Sequence, residues 1–324
     1  MSGFMSSSTA LTICKADSAA GLALDTLRQH AFTPDIDADG RRLGWVALGD
    51  PLDTDGFELA AVDDRYSGFS FRLDTRKASR AVIRLQLAEA VREERLSGKK
   101  VGSKRKKELK QAITAKLTAR AEFVPSVIDC IWDAEKGRLL VGSASAKAVQ
   151  PVLDLFKTTF GIDAAPITPA GDMPRLFAAI LHGEGYPCGG YTLHPMGSAS
   201  LAASEQAEEK SAVAVQNSLN AVAQALEEGM AIQKLHLVAT SDADPEKQME
   251  FTLDAGLAVS GLKLPKAEKG AEEDATFLVN TDTCSRVADM VEALALSATE
   301  RLKRFGGRPV FHPLKNVGGR ASFG

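Results

Sequence analysis

The chain has 324 residues, 44% of them hydrophobic and 25% charged, a composition that supports a buried core and excludes wholesale disorder. It contains no run of 18 or more apolar residues, so a membrane-spanning helix is not expected. Its net charge of −3 hides a segregation: residues 92–120 carry eleven Lys/Arg against Glu93, Glu94 and Glu108, residues 301–324 carry six and no acid, and the rest sums to −17.

Residues 9–14 predict a strand. Residues 19–30 predict a helix, with Leu22, Leu24 and Leu27 apolar and Ser18 placed to cap it. A strand is expected over 44–48, and Asp53-Thr54-Asp55-Gly56 is turn chemistry. Residues 57–62 and 69–73 predict an antiparallel pair across the polar stretch 63–68, completing an α+β unit over 1–78.

Ser79 is placed to cap a helix that runs to about Leu96, with Val82, Ile83, Leu87, Ala90 and Val91 on one face. Residues 98–102 interrupt it. A second helix starts at Ser103, with Leu109, Ala112, Ile113 and Leu117 spaced as one buried stripe. Two helices joined by a short glycine-flanked connection predict a helical hairpin over 79–122, projecting from the first unit.

A central strand–strand–helix unit over 123–170 follows, with strands at 127–132 and 138–141 and a turn at Glu135-Lys136-Gly137. Ser145 leads its helix, on which Val149, Val152, Leu153, Phe156 and Phe160 recur at helical spacing. Pro151 inside it predicts a kink, or a start near Ala148. Residues 168–211 show no pattern, and 171–211 reads as an irregular Gly/Pro/Ala-rich segment. A C-terminal α+β unit over 212–300 has a helix at 218–228 stopped by Gly229, and strands at 230–239, 248–253, 257–264 and 276–280. Its final helix is capped by Thr281 or Thr283 and carries Val287, Met290, Val291 and Leu294. Residues 301–324 form a basic tail, either a flexible arm or a frayed end. The fold class is α+β, antiparallel sheets flanked by helices.

The chemistry on this frame is concentrated in cations. Lys99, Lys100, Lys104, Arg105, Lys106, Lys107 and Lys110 fall within twelve positions, with Lys116 and Arg120 beyond them. Each duplex phosphate that such a cluster neutralises releases roughly 0.9 counterion, giving strong, salt-sensitive attachment to a backbone. Charge alone equally admits a solvated turn. A membrane-surface helix is a third reading, for which the bulky apolar face is small. Arg72, Arg76, Lys77 and Arg80 make a second cluster where a strand gives way to a helix. Phe123 lies beside the basic segment, placed either to stack on a base or to enter the core.

Catalytic signals are poor. GxxxxGK[ST], HExxH and GxSxG are all missing, and Asp63-Asp64 and Glu272-Glu273-Asp274 sit in turn-like surroundings. No set of carboxylates converges for a nuclease, and neither enzyme activity nor a cofactor is expected. His182, Cys188 and His194, with Glu184 nearby, have the spacing His-x5-Cys-x5-His, a non-standard zinc constellation kept as an alternative. His30, His236 and His312 are isolated. Cys14, Cys130, Cys188 and Cys284 form no CxxC pair, and residues 1–10 lack the charged start of a secretory signal, so reduced thiols and a cytoplasmic location are expected.

An ordered series of segments resembles a known family. It begins at Phe32-Thr33-Pro34 and Gly44-Trp45-Val46, and continues through Val82-Ile83 and the basic hairpin. It runs from Arg120-Ala121 through Trp132-Asp133 and Ala144-Ser145-Ala146-Lys147 to the helix ending at Gly161. It returns in Ala225-Leu226-Glu227-Glu228-Gly229 and the strand at Lys234-Leu235. Together, over about residues 11–296, these resemble the family of the bacterial recombination-associated protein RdgC. The resemblance implies a horseshoe-shaped α+β subunit and a homodimeric ring with a basic inner surface around duplex DNA. It implies binding of single- and double-stranded DNA without sequence preference, association with the nucleoid, and restraint of the RecA recombinase by occupation of its substrate. The hairpin cations and those near Arg76 would face the hole. Phe123 falls near a family phenylalanine that follows Arg-Ala, shifted by one because Glu122 intervenes. Residues 168–211 have no counterpart, and the tail after Leu296 is an extension. Two other readings stay open: a metal-dependent nucleic-acid enzyme using the 182–194 segment, and an RNA- or ribosome-associated factor using the same hairpin.

Overall fold

The computed structural model describes residues 3–18, 21–23, 25–57, 65–183, 185–203, 214–265 and 273–304. Residues 58–62 of one expected strand, Asp63, Asp64, Glu184, Glu272, His312 and the tail from residue 305 lie outside them. In chain order the elements are β1 (Ser8–Ala16), α1 (Asp25–Gln29), β2 (Arg42–Val46), β3 (Tyr66–Arg76), α2 (Arg80–Leu96) and α3 (Ser103–Arg120). Then come β4 (Phe123–Asp133), β5 (Arg138–Val141), α4 (Ala146–Phe160), β6 (Ala164–Pro166), α5 (Met173–His182), β7 (Tyr186–Cys188) and β8 (Tyr191–Ala203). The chain continues with β9 (Ala214–Gln216), α6 (Leu219–Glu227), β10 (Met230–Ser241), β11 (Gln248–Asp254), β12 (Val259–Lys263) and α7 (Glu273–Arg304). This is an α+β protein with antiparallel strand pairing and flanking helices. It divides into two compact units, one of Met1–Leu22, Ala60–Gly68 and Asp129–Gly324, the other of Ala23–Leu59 and Phe69–Ile128. Two of the boundaries fall inside β3 and β4.

In the larger unit the strands run β5-β1-β12-β11-β10-β8-β7, with β6 added to β1 and β9 to β8. Alternation drives the sheet: along β10, Leu235, Leu237 and Ala239 are buried while His236, Val238 and Thr240 are half-exposed. Helices α5 and α6 pack on β8 and β10. Helix α4 follows the predicted spacing, burying Val149, Val152, Leu153 and Phe156, with the Phe156 ring 5.5 Å from that of Trp132. Of the two expected alternatives, the start near Ala148 is corrected: the helix begins at Ala146 and runs through Pro151, which forfeits the bond to the carbonyl four residues back and crowds that carbonyl.

Two further expectations are corrected here. The described residues of 171–211 are not irregular, since they hold α5, β7 and the thirteen-residue strand β8. Residues 276–280 are not a strand but part of α7, and Thr281 and Thr283 lie inside that helix. Phe277, Thr281, Cys284, Ala288, Val291 and Ala295 are buried at helical spacing, which outweighs the β-leaning letters of Thr276-Phe277-Leu278-Val279. The Thr283 hydroxyl donates to the Val279 carbonyl at 3.0 Å, the bond by which a threonine is accommodated within a helix. A buried polar hub ties α7 to the sheet. Arg138 Nη1 donates to Asp289 Oδ1 at 2.8 Å, and its Nη2 donates to Ser285 Oγ at 2.7 Å.

The smaller unit is built on the β2–β3 ladder, paired from Arg42 opposite Asp74 to Val46 opposite Ser70. Among the described residues β3 is flanked by β2 and β4, and residues 58–62 of the partner strand that was expected lie outside them. Trp45 is fully buried, with the Phe69 and Phe71 rings edge-on to it at 5.0 and 5.9 Å. Gly44 is required: a Cβ there would overlap the backbone of Phe32, which donates its N–H to the Trp45 carbonyl at 2.8 Å. Of the expected helix over 19–30, the described residues 21–23 are not helical and α1 covers Asp25–Gln29, of which Leu27 reaches the core. The Asp53 turn forms as read, its carboxylate accepting from the N–H groups of Asp55 and Gly56 at 2.9 and 2.8 Å.

Candidate nucleic-acid interface

The smaller unit also carries the hairpin. Helix α2 starts after Ser79 and ends before Ser97, and Gly98, at φ +77°, turns the chain towards α3. The two helices contact each other, yet neither buries a single side chain. The expected apolar stripes do not reach a core. Ile83, Leu87, Ala90 and Val91 on α2, and Leu109, Ile113 and Leu117 on α3, are half-buried, whereas Val82 and Ala112 are exposed. These residues are short of what an element held by a hydrophobic core would show.

An ion-pair clasp supplements the seam. Arg105 Nη2 donates to Glu94 Oε1 at 2.6 Å, and its Nη1 donates to Glu108 Oε2 at 3.2 Å. The hydrogen bond from Arg105 holds the Glu94 carboxyl below the usual glutamate range, and the same contacts push the Arg105 guanidinium up. Arg105 is thus engaged inside the hairpin. Lys99, Lys100, Lys104, Lys106, Lys107, Lys110, Lys116 and Arg120 are exposed, and none is ion-paired to a described residue. Their placement opposes helix stability. Lys104, Lys106 and Lys107 sit in the opening turns of α3, whose first turn holds no acid, so cations crowd the positive end of a helix dipole. The first turn of α2, opened by Arg80, has no acid either. An anion at these ends would relieve both terms.

The second predicted cluster separates into different roles. Arg72 is committed: it donates to both carboxylate oxygens of the buried Asp74 at 2.9 and 2.8 Å, donates to the Pro51 carbonyl at 3.0 Å, and lies 4.0 Å over the Phe32 ring. Lys77 and Arg80 are exposed. Arg76 bridges to the hairpin, its Nη1 donating to the Ala119 carbonyl at 2.6 Å. It borders an open cleft of about 410 Å³ lined also by Ile36, Asp39, Arg41, Ala115 and Thr118. Phe123 opens β4 half-buried, with guanidinium carbons of Arg42 and Arg76 at 4.0 and 4.7 Å from its ring centre. The sequence reading missed Arg42, because nothing in the letters places residue 42 beside residue 123. It also passed over Arg84, Arg92 and Arg95, exposed cations of α2.

The histidine–cysteine constellation does not assemble. Cys188 is buried, its thiol donating to the Met290 carbonyl at 3.2 Å, whereas His182 is exposed at the end of α5 and His194 is half-exposed on β8. Among the described residues, no three His, Cys, Asp or Glu side chains gather in a way that could hold a metal ion. His236, read as isolated, has partners: its Nε2 lies 3.0 Å from Glu250 Oε1 and its Nδ1 3.3 Å from Ser198 Oγ. None of the four cysteines is in a disulfide, and all are buried. Burial pushes the Cys14 thiol up to about 12 and those of Cys130 and Cys284 upward as well. Among the described residues no helix is long and apolar enough to cross a membrane.

A family model described as "Putative exonuclease, RdgC" matches residues 14–298. Compared with individual curated proteins, the chain has no match.

Proposed function

The chain belongs to the RdgC family, and from that premise we propose that it is a recombination-associated DNA-binding protein that holds the phosphate backbone without reading sequence. The observation that carries the reading is the hairpin. Residues 80–120 carry thirteen Lys/Arg against four Glu on two helices with no buried side chain, and Arg105 is the residue that pairs with Glu94 and Glu108. An element with so little packing and so many unneutralised cations suits a polyanion. No base-reading arrangement is needed, because backbone contacts position a protein on DNA without carrying sequence information. In the cell such a protein, as a homodimeric ring enclosing duplex DNA in the nucleoid, restrains RecA-dependent recombination by occupying the DNA.

This makes it a binding protein and not the exonuclease of the family's label. Two duplexes of unrelated sequence should bind with equal affinity, and an end-labelled duplex incubated with magnesium should stay intact. Release of nucleotides would favour the metal-dependent enzyme instead. Preference for structured RNA in competition with duplex DNA would favour an RNA-associated factor.

A further inference from the structure

Arg42 stands opposite Asp74 in the β2–β3 ladder, yet Asp74 is held by Arg72 at 2.8 Å. The Arg42 guanidinium lies instead against Phe123, and Arg76 approaches the same ring. A ring quadrupole attracts each cation, but two cations sharing one ring repel each other unless an anion joins them. No described carboxylate pairs with either. Asp37 and Asp39, in the loop before β2, both hold Arg41, at 2.9 and 2.6 Å. The Nε atoms of Arg42 and Arg76 are sealed from solvent without an acceptor. Arg76 is anchored through Nη1 on the Ala119 carbonyl, beside the open cleft. The result is a charge-unbalanced pair at the root of the hairpin, packed on one ring, unlike the exposed lysines of α3.

We infer that Arg42 and Arg76, steadied by Phe123, form a grip for one phosphate group of a nucleic-acid backbone. The inference rests on the DNA-binding reading above and deepens it by naming a contact separate from the lysine field. A phosphodiester supplies the missing negative charge and acceptors for terminal nitrogens of the two guanidinium groups, the sealed Nε atoms not being its contacts, and planar guanidinium forks match it where an ammonium does not. Phe123 is then a positioning residue for the two arginines, because a ring face covered by a guanidinium is closed to a base.

The test uses the full chain and the variants Arg42→Gln, which keeps most of the stem without the charge, and Arg42→Lys, which keeps the charge without the fork. Duplex binding is measured across a salt series beside thermal melting in phosphate and in chloride at matched ionic strength. The grip predicts that phosphate raises the melting temperature of the wild type and of neither variant. It predicts that both variants lose about tenfold in duplex affinity, as for a charged hydrogen bond. It further predicts that Arg42→Gln flattens the salt slope by about 1 and Arg42→Lys leaves it near the wild-type value. Wild-type duplex affinity in both variants overturns the grip, as does full rescue by lysine. A wild type that is stabilised by phosphate but binds no duplex overturns the nucleic-acid occupant and the DNA reading together, while the anion site stands. Loss of affinity in a variant that melts like the wild type supports the grip, since misfolding is then not the cause.

Discussion

Arg138 shows what a charge does when the fold gives it no water. It is fully buried, 3.3 Å from Asp133 and within hydrogen-bond reach of Asp289, Glu292 and Ser285. Removing one member of a buried ionic network strands the others, at a cost of about 3–5 kcal/mol. Arg138→Met should therefore lower unfolding stability by about that amount in denaturant melts, and a loss under about 1 kcal/mol would contradict the hub. Asp289 adds a pH dependence. Burial alone would raise its pKa, but the hydrogen bond from Lys136 and the charge of Arg138 outweigh burial and hold the carboxyl below the usual aspartate range. A depressed folded pKa contributes stability that is present above the ordinary value of about 3.9 and lost as pH falls through the folded value. The gap in stability between wild type and Asp289→Asn should accordingly close on acidification through that window. A gap that stays constant would show that the ion pair has no part in it.

At the scale of elements, legibility followed local chemistry. The bounds of α2, β5 and α6 and the start of α3 were readable because serines and glycines stand at their ends, although the N-terminal serines of α2 and α6 make no side-chain cap bond. Helix α5 carried its signals too, with Asp172 accepting from the Arg175 N–H at 3.1 Å and a proline in the first turn, but the surrounding glycines masked them. The β7–β8 hairpin turns on Gly189 and Gly190, at φ +59° and +80°, a primed turn that a Gly-Gly pair announces. Strand β8 was hidden for a different reason. Pro195 and Gly197 interrupt its pattern where the register to β10 shifts between Leu235 and Leu237, and its serines and alanines have little β preference. Gly190→Ala tests the turn cleanly. Nothing lies within 4 Å of its would-be Cβ, so the cost is conformational alone, about 1–2 kcal/mol. An unchanged melt would rule out a required left-handed turn. The hairpin makes the opposite prediction. With no buried side chain in α2 or α3, its amides should exchange by local opening well before those of β10, and Arg105→Ala should speed them further. Protection equal to that of β10 would contradict a loosely held element.

At the scale of the molecule, charge segregation is legible from composition alone, whereas the interactions that qualify it are not. The cluster at Arg72, Arg76, Lys77 and Arg80 looks uniform in the letters, yet Arg72 is tied to Asp74 while Arg76 shares Phe123 with a residue thirty-four positions earlier. Long-range pairing decides which cation is available, and single-sequence patterns carry no such information. The family, by contrast, was visible in an ordered series of short segments, and the match over residues 14–298 agrees with it.

The most direct measurement is duplex-DNA affinity across a salt series for wild type and for a variant with Lys104, Lys106, Lys107 and Lys110 changed to Ala. Arg105 is left in place to keep the clasp with Glu94. The account predicts weaker binding and a slope shallower by about 0.9 for each phosphate that is no longer neutralised, with the fold intact. Unchanged affinity and slope would take the hairpin out of the interface, and a wild type that binds no duplex would contradict the account as a whole.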